Sequence, residues 1–237
     1  MSKRKPRVSR QQARYEAKQQ LQEKVHVSVK HIEALTENQA KALNSNKNQV
    51  LIGAAGTGKT FLAMYKALDA LLNDKSIKRV LIFRSAVATR NIGFLPGTEV
   101  EKMAVFEAPY KGAVAALTGR GDAYEELKKK RMVEFHSTSF PRGITIDNAI
   151  VIVDEAQNMT YHELDSIMTR AGKNVTYYFS GDTKQADLPS SQSGLKDFMR
   201  VLRKMKSFNF VEFEIEDIVR GDLCKEYLIA KYDEHSE

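Results

Sequence analysis

A single cysteine, Cys224, stands in a chain of 237 residues, so no intramolecular disulfide can form, and no Cys/His cluster has zinc-ligand spacing. That excludes a disulfide scaffold and a structural zinc module. No apolar run approaches the roughly 18 residues of a membrane span, and no hydrophobic region of a signal peptide follows the basic N-terminus. The expectation is a soluble, unprocessed chain in the cytoplasm with no membrane partner. His26, His31, His136, His162 and His235 show no metal spacing and receive no catalytic role. Internal repeats are lacking too.

What is present begins with charge. The net +7 is concentrated in residues 1–30, where nine Lys and Arg face only Glu16 and Glu23, leaving 28 charges of each sign over the remainder. Basicity is thus a property of an arm and not of the domain at 31–237. Such an arm suits RNA or single-stranded nucleic acid, because each phosphate neutralised releases condensed counterions. A mobile tail that aids solubility is an equal alternative, and an acidic membrane surface a weaker one. With 42% hydrophobic residues, the rest can bury one sizeable core.

Within that domain, Gly53-Ala54-Ala55-Gly56-Thr57-Gly58-Lys59-Thr60 fits the phosphate-loop pattern GxxxxGK[ST], between an apolar run at Val50 to Ile52 and an amphipathic helix from about Phe61. Glycines let the backbone curl until several N–H groups converge, and the following helix adds unpaired amides and the positive end of its dipole. An anion belongs there. Lys59 is expected on the β and γ phosphates, and the Thr60 hydroxyl on Mg²⁺, which makes ATP with Mg²⁺ the expected ligand pair.

Val80 to Phe83, Ala149 to Val153, Val175 to Phe179 and Phe208 to Phe213 read as further strands, buried on both faces in the manner of parallel strands. Helical segments at about 99–117, 123–131, 161–171, 194–204 and 223–232 alternate with them. The fold class is therefore α/β, a parallel sheet between helices. Thr36 with Gln39 predicts a capping box opening a short helix to Leu43. Cys224 is expected as a small core residue of the last helix.

The Ile150-Val151-Ile152-Val153 run ends in Asp154-Glu155, at the strand end where ligands gather in open parallel sheets. Because strand side chains alternate in direction, Asp154 is assigned to the metal shell and Glu155 to polarising the attacking water. Gln185, in Ser180-Gly181-Asp182-Thr183-Lys184-Gln185, is placed to contact the γ-phosphate or its water, although a plain Gly-Asp turn explains the segment equally. Gln39 is a candidate reader of the adenine edge, with helix capping the stronger alternative. Phosphoryl transfer also calls for an arginine. Arg220 is the first choice, with Arg84 and Arg142 as competitors.

Taken together these residues resemble the PhoH family of phosphate-starvation-inducible ATPases. The likeness runs from about Leu35 to Tyr232 and rests on Asn38-Gln39, the phosphate loop, Gly93-Phe94-Leu95-Pro96-Gly97, Pro109-Tyr110, Arg142-Gly143, Asp154-Glu155-Ala156-Gln157-Asn158, Gly181 to Gln185, Asp187-Leu188-Pro189, Ser193-Gly194-Leu195 and Val219-Arg220. It implies a RecA-like lobe similar to the first motor lobe of superfamily one helicases, with Mg²⁺, ring assembly and a role on RNA. It also implies the roles already given to Lys59, Thr60, Asp154, Glu155, Gln185 and Arg220. The chain has no room for the appended nuclease domain or the second motor lobe of some relatives, and it is similar to the short versions encoded by bacteriophages, whose cytoplasm would be the host's. The leading expectation is an ATPase on RNA or single-stranded DNA, assembled as a hexamer with Arg220 reaching a neighbour's nucleotide. A nucleotide-dependent switch on a protein partner and a small-molecule kinase are the alternatives.

Overall fold

Alternation of apolar side chains along each strand decides this architecture. The computed structural model describes residues 26–85, 99–137, 144–182 and 193–234. In it β1 (Asn48–Gly53), β2 (Arg79–Arg84), β3 (Val133–Ser137), β4 (Ala149–Asp154), β5 (Val175–Gly181) and β6 (Phe208–Phe213) form one sheet in the order β3-β2-β4-β5-β1-β6. Every pairing is parallel. Strand β3 was not foreseen: only its first residue is fully buried, so Val133-Glu134-Phe135-His136-Ser137 lacks the continuous apolar run that marks the inner strands.

The helices are α1 (Glu37–Asn44), α2 (Lys59–Asn73), α3 (Glu99–Thr118), α4 (Ala123–Lys129), α5 (Tyr161–Met168), α6 (Leu195–Leu202) and α7 (Asp222–Glu234). Leu51, Ile82, Ile152 and Tyr178 project to one face and share a core with Leu62 and Leu68 of α2, Tyr110 of α3 and Leu127 of α4. Their strand neighbours Val50, Leu81, Val151 and Phe179 project to the other, against Leu164 of α5 and Phe198 of α6. Each fully buried leucine, such as Leu68, stabilises the fold by about 1.5–3 kcal/mol. The product is a single parallel sheet sandwiched between helices, a RecA-like P-loop NTPase lobe. Among the described residues no helix is long and apolar enough to cross a membrane.

Several local expectations need correction. The Thr36 hydroxyl accepts from the Gln39 amide as expected, but the Gln39 side chain turns to the Leu35 N–H at 2.9 Å, so the reciprocal half of the capping box is not made. A complete box opens α5, between Thr160 and Glu163. Cys224 is exposed rather than core, because α7 packs through Leu228 and Tyr232. Residues 26–30, expected as the end of the arm, lie on the domain: Val27 is buried, Lys30 N–H donates to Leu117 C=O, and Arg120 donates to His26 C=O. Residues 1–25 of the arm lie outside the described residues.

Candidate nucleotide and metal site

Four strands end at one cleft. The carboxyl ends of β1, β2, β4 and β5 deliver Gly53, Arg84, Asp154 and Gly181 to the same side of the sheet, around a cavity of about 740 Å³. Strand β5 lies between β1 and β4, so the phosphate loop and the acid pair are one strand apart. Both meet in the cavity wall, which includes Gly56, Gly58, Lys59, Thr60, Asp154 and Glu155.

The loop from Gly53 to Gly58 is shaped by backbone that only glycine supplies cheaply. Gly53 has a φ of 132°, and a Cβ there would lie 1.8 Å from the Phe213 carbonyl oxygen. Helix α2 begins at Lys59 with Gly58 as its cap and no side-chain oxygen on its first amides. Those donors and the positive dipole end therefore face the cleft. The Thr57 hydroxyl donates to Ala54 C=O at 2.9 Å, and the buried Gln39 amide donates to Thr57 C=O at 3.0 Å. With its carbonyl on Leu35, Gln39 is spent on bracing the loop, which gives it a bond for each end of its amide without any base.

Lys59 folds back over the loop. Its ammonium donates to Gly53 C=O at 2.8 Å and Ala54 C=O at 2.6 Å. Burial pushes it below its ordinary value, while Asp182, Glu155 and Asp154 work in the opposite direction.

Asp154 accepts three side-chain hydrogen bonds. Oδ1 accepts from Thr60 Oγ1 at 2.9 Å and from Ser180 Oγ at 2.6 Å, and Oδ2 accepts from the Tyr110 hydroxyl at 2.7 Å. Burial and the Asp154 charge push the Tyr110 phenol well up, which keeps it a donor. Arg84 sits beside this group. Burial opposes its guanidinium, but Tyr110, Asp154 and Glu155 raise it on balance.

Glu155 leaves the strand. Its φ of 51° is left-handed, so a backbone turn and not strand alternation sets where Glu155 stands relative to Asp154. Burial, then the Asp154 charge, raise its carboxyl above the usual range, with the Gln157 amide, Arg84 and Lys59 opposing. Gln157 spans two segments, donating to Glu155 and accepting from the Asp182 N–H at 3.0 Å.

Thr60 and Asp154 form a hard-oxygen pair suited to Mg²⁺. Among the described residues no group of three or more His, Cys, Asp or Glu can hold a metal alone. Thr60 and Asp154 would hold magnesium together with oxygens from outside the chain, and when bound it would neutralise charge on the phosphates.

Arg220 reaches the cavity of its own chain. Val219 N–H donates to Gly56 C=O at 3.1 Å, and the Arg220 side chain lies so close that a Cβ on Gly56 would stand 2.9 Å from its Cγ. Gln185, Arg142, the Gly93 to Gly97 loop and Asp187 to Pro189 lie outside the described residues. Roles for Tyr110, Ser180, Gln157 and Tyr232 were not read from sequence, since nothing local marks a tyrosine as a ligand of a distant carboxylate.

The profile of the family described as PhoH-like protein matches residues 31–233. The chain belongs to the PhoH family. It is 37% identical over 187 residues to the PhoH-like protein of Bacillus subtilis (strain 168), covering 78% of this chain and 58% of that one. It is 36% identical over 193 residues to Protein PhoH of Escherichia coli (strain K12), covering 80% and 54%. This PhoH chain thus spans little more than half the length of these relatives. Among solved structures, the large terminase from a thermophilic bacteriophage is 13% identical with a TM-score of 0.49, covering 84% of this chain and 50% of that chain. A likeness that loose carries no argument about function.

Proposed function

We propose that this PhoH chain binds ATP with Mg²⁺ and hydrolyses it, and that hydrolysis serves work on RNA or single-stranded nucleic acid. The observation that carries the reading is the Thr60–Asp154 hydrogen bond, which joins the phosphate loop to the acid strand beside Lys59. In the proposed reaction the α2 amides and Lys59 hold the β and γ phosphates, Thr60 and Asp154 hold the metal, and Arg84 and Arg220 supply further positive charge from the same chain. Glu155, whose raised carboxyl suits proton acceptance from water, orients the attacking nucleophile. Gln185 is proposed as the γ-phosphate contact.

The basic residues of the arm are proposed to contact the nucleic-acid backbone, and a hexamer is proposed to provide the second surface that one lobe lacks. Leu223 and Tyr227, one turn apart on α7 and 81% and 65% exposed, offer apolar area for such self-association. The test is ATP hydrolysis by the purified chain with and without RNA and single-stranded DNA, alongside native mass. No Mg·ATP binding overturns the reading. Hydrolysis indifferent to nucleic acid, with salt-insensitive binding, leaves an ATPase and removes the nucleic-acid partner.

A further inference from the structure

Side chains from three elements meet on one buried carboxylate. Asp154 is 3% exposed. Its Oδ1 accepts from Thr60 of α2 at 2.9 Å and from Ser180 of β5 at 2.6 Å, and its Oδ2 accepts from Tyr110 of α3 at 2.7 Å. Thr60 lines the nucleotide cavity and belongs to the proposed metal site. Ser180 and Tyr110 are both buried and line none of that cavity, so their hydroxyls act on the acid and not on a ligand.

Tyr110 is anchored for this task. It is fully buried in the core that holds Ile82 and Ile152, with its ring 5.6 Å from that of Phe135. Its neighbour Pro109 does line the cavity, so α3 turns one residue to the cleft and the next to the acid. Donors on one oxygen alone leave a carboxylate free to swing about that oxygen. A donor on the other oxygen fixes its plane, and a carboxylate fixed before the cation arrives has less ordering left to lose.

We propose that Tyr110 and Ser180 are positioning residues that set the plane of the Asp154 carboxylate for a divalent cation. This rests on the reading above in which Thr60 and Asp154 hold the metal of a bound nucleotide. It adds two residues that touch neither ligand, and it makes α3 part of the metal site.

The test titrates a fluorescent ATP analogue into the full chain with Mg²⁺ and again with EDTA, and the ratio of the two affinities is the gain that the cation brings. It compares the wild type with Tyr110→Phe, Ser180→Ala, Asp154→Asn and the double variant of Tyr110→Phe with Asp154→Asn, with circular dichroism confirming the fold. Tyr110→Phe is expected to cut the gain about tenfold, the scale for losing a group that orients a metal ligand, while affinity in EDTA stays within about twofold. Ser180→Ala is expected to cut it at least about threefold, since Thr60 still donates to the same oxygen. In the Asp154→Asn background Tyr110→Phe is expected to change the gain by less than about twofold, because the carboxylate it orients is gone. An unchanged gain in either single variant overturns the proposal. So do equal losses from Tyr110→Phe in both backgrounds, or an equal loss in EDTA, which mean a tyrosine that serves the fold alone. If Tyr110→Phe does not fold, Ser180→Ala decides by the same criterion. A wild-type chain that binds no analogue overturns the ATP reading along with this one, and binding without any gain from Mg²⁺ overturns the metal site along with this one. A wild-type gain that Tyr110→Phe leaves intact overturns this proposal alone.

Discussion

The Thr60 hydroxyl donates to Oδ1 of Asp154 across 2.9 Å, although 94 residues separate them in the chain. That bond places the end of the phosphate loop and the end of β4 at the spacing a shared metal requires. Asp154→Asn is expected to lower the rate of ATP hydrolysis by about 10²–10³, the scale for losing one preorganised electrostatic contact. Nucleotide affinity measured without Mg²⁺ should change little. A variant that loses metal-free binding as well would show that Asp154 shapes the loop instead.

Glu155→Gln keeps the size of the side chain and removes the proton acceptor. Hydrolysis is expected to fall by about 10²–10⁴, while Mg·ATP affinity stays within about threefold. Single-turnover kinetics with parallel binding titrations separate the two effects. Retained turnover would move the base elsewhere.

Arg220 is packed against Gly56 of its own chain, which supports the proposal that its charge serves the nucleotide beside it. Lys59→Ala subunits mixed with Arg220→Ala subunits are therefore expected to recover no activity beyond the sum of the two alone. Recovery to about a quarter of wild-type activity, the level that random pairing gives when a site needs one intact residue from each of two subunits, would place Arg220 in a neighbour's site.

Gly53→Ala places a Cβ into the Phe213 carbonyl and keeps a φ of 132° that side chains avoid. The change is expected to destabilise the chain by about 3 kcal/mol or more. Chemical denaturation with far-UV circular dichroism reads this directly. A loss below about 1 kcal/mol would mean that β1 and β6 separate at little cost.

Asp217 reports acid sensitivity outside the cleft. Burial alone would raise its carboxyl, but donors from Asn38 and Thr36 and the Glu214 amide outweigh burial and hold it below its ordinary 3.8. Its folded value is the lower one, so its contribution to stability is full above the unfolded value and is lost as pH falls through the folded one. Asp217→Asn is expected to flatten the fall in melting temperature below about pH 4. An unchanged slope would assign the acid sensitivity to other carboxylates.

Continuous apolar runs announced β1, β2, β4 and β5, since strands buried on both faces leave no polar position to confuse the period. β3 escaped because the polar Glu134 and His136 interrupt the apolar Val133 and Phe135, leaving no continuous apolar run. The phosphate loop was legible because a phosphate cradle demands glycines and a lysine at fixed local spacing. Cys224 was misplaced since helical spacing does not say which face of α7 meets the core.

The sequence by itself determined which residues would meet at the cleft: the glycine loop, Lys59, Thr60 and the Asp154-Glu155 pair, each set by local spacing within a few residues. Tertiary structure decided who supports them. Tyr110, Ser180 and Tyr232 reach their carboxylates, and Arg220 reaches its own loop, only because parallel strands end at a common edge and bring distant segments within hydrogen-bond range. Those contacts obey no local period, since the strand order that creates them is fixed by burial of both sheet faces and not by any neighbour in the chain.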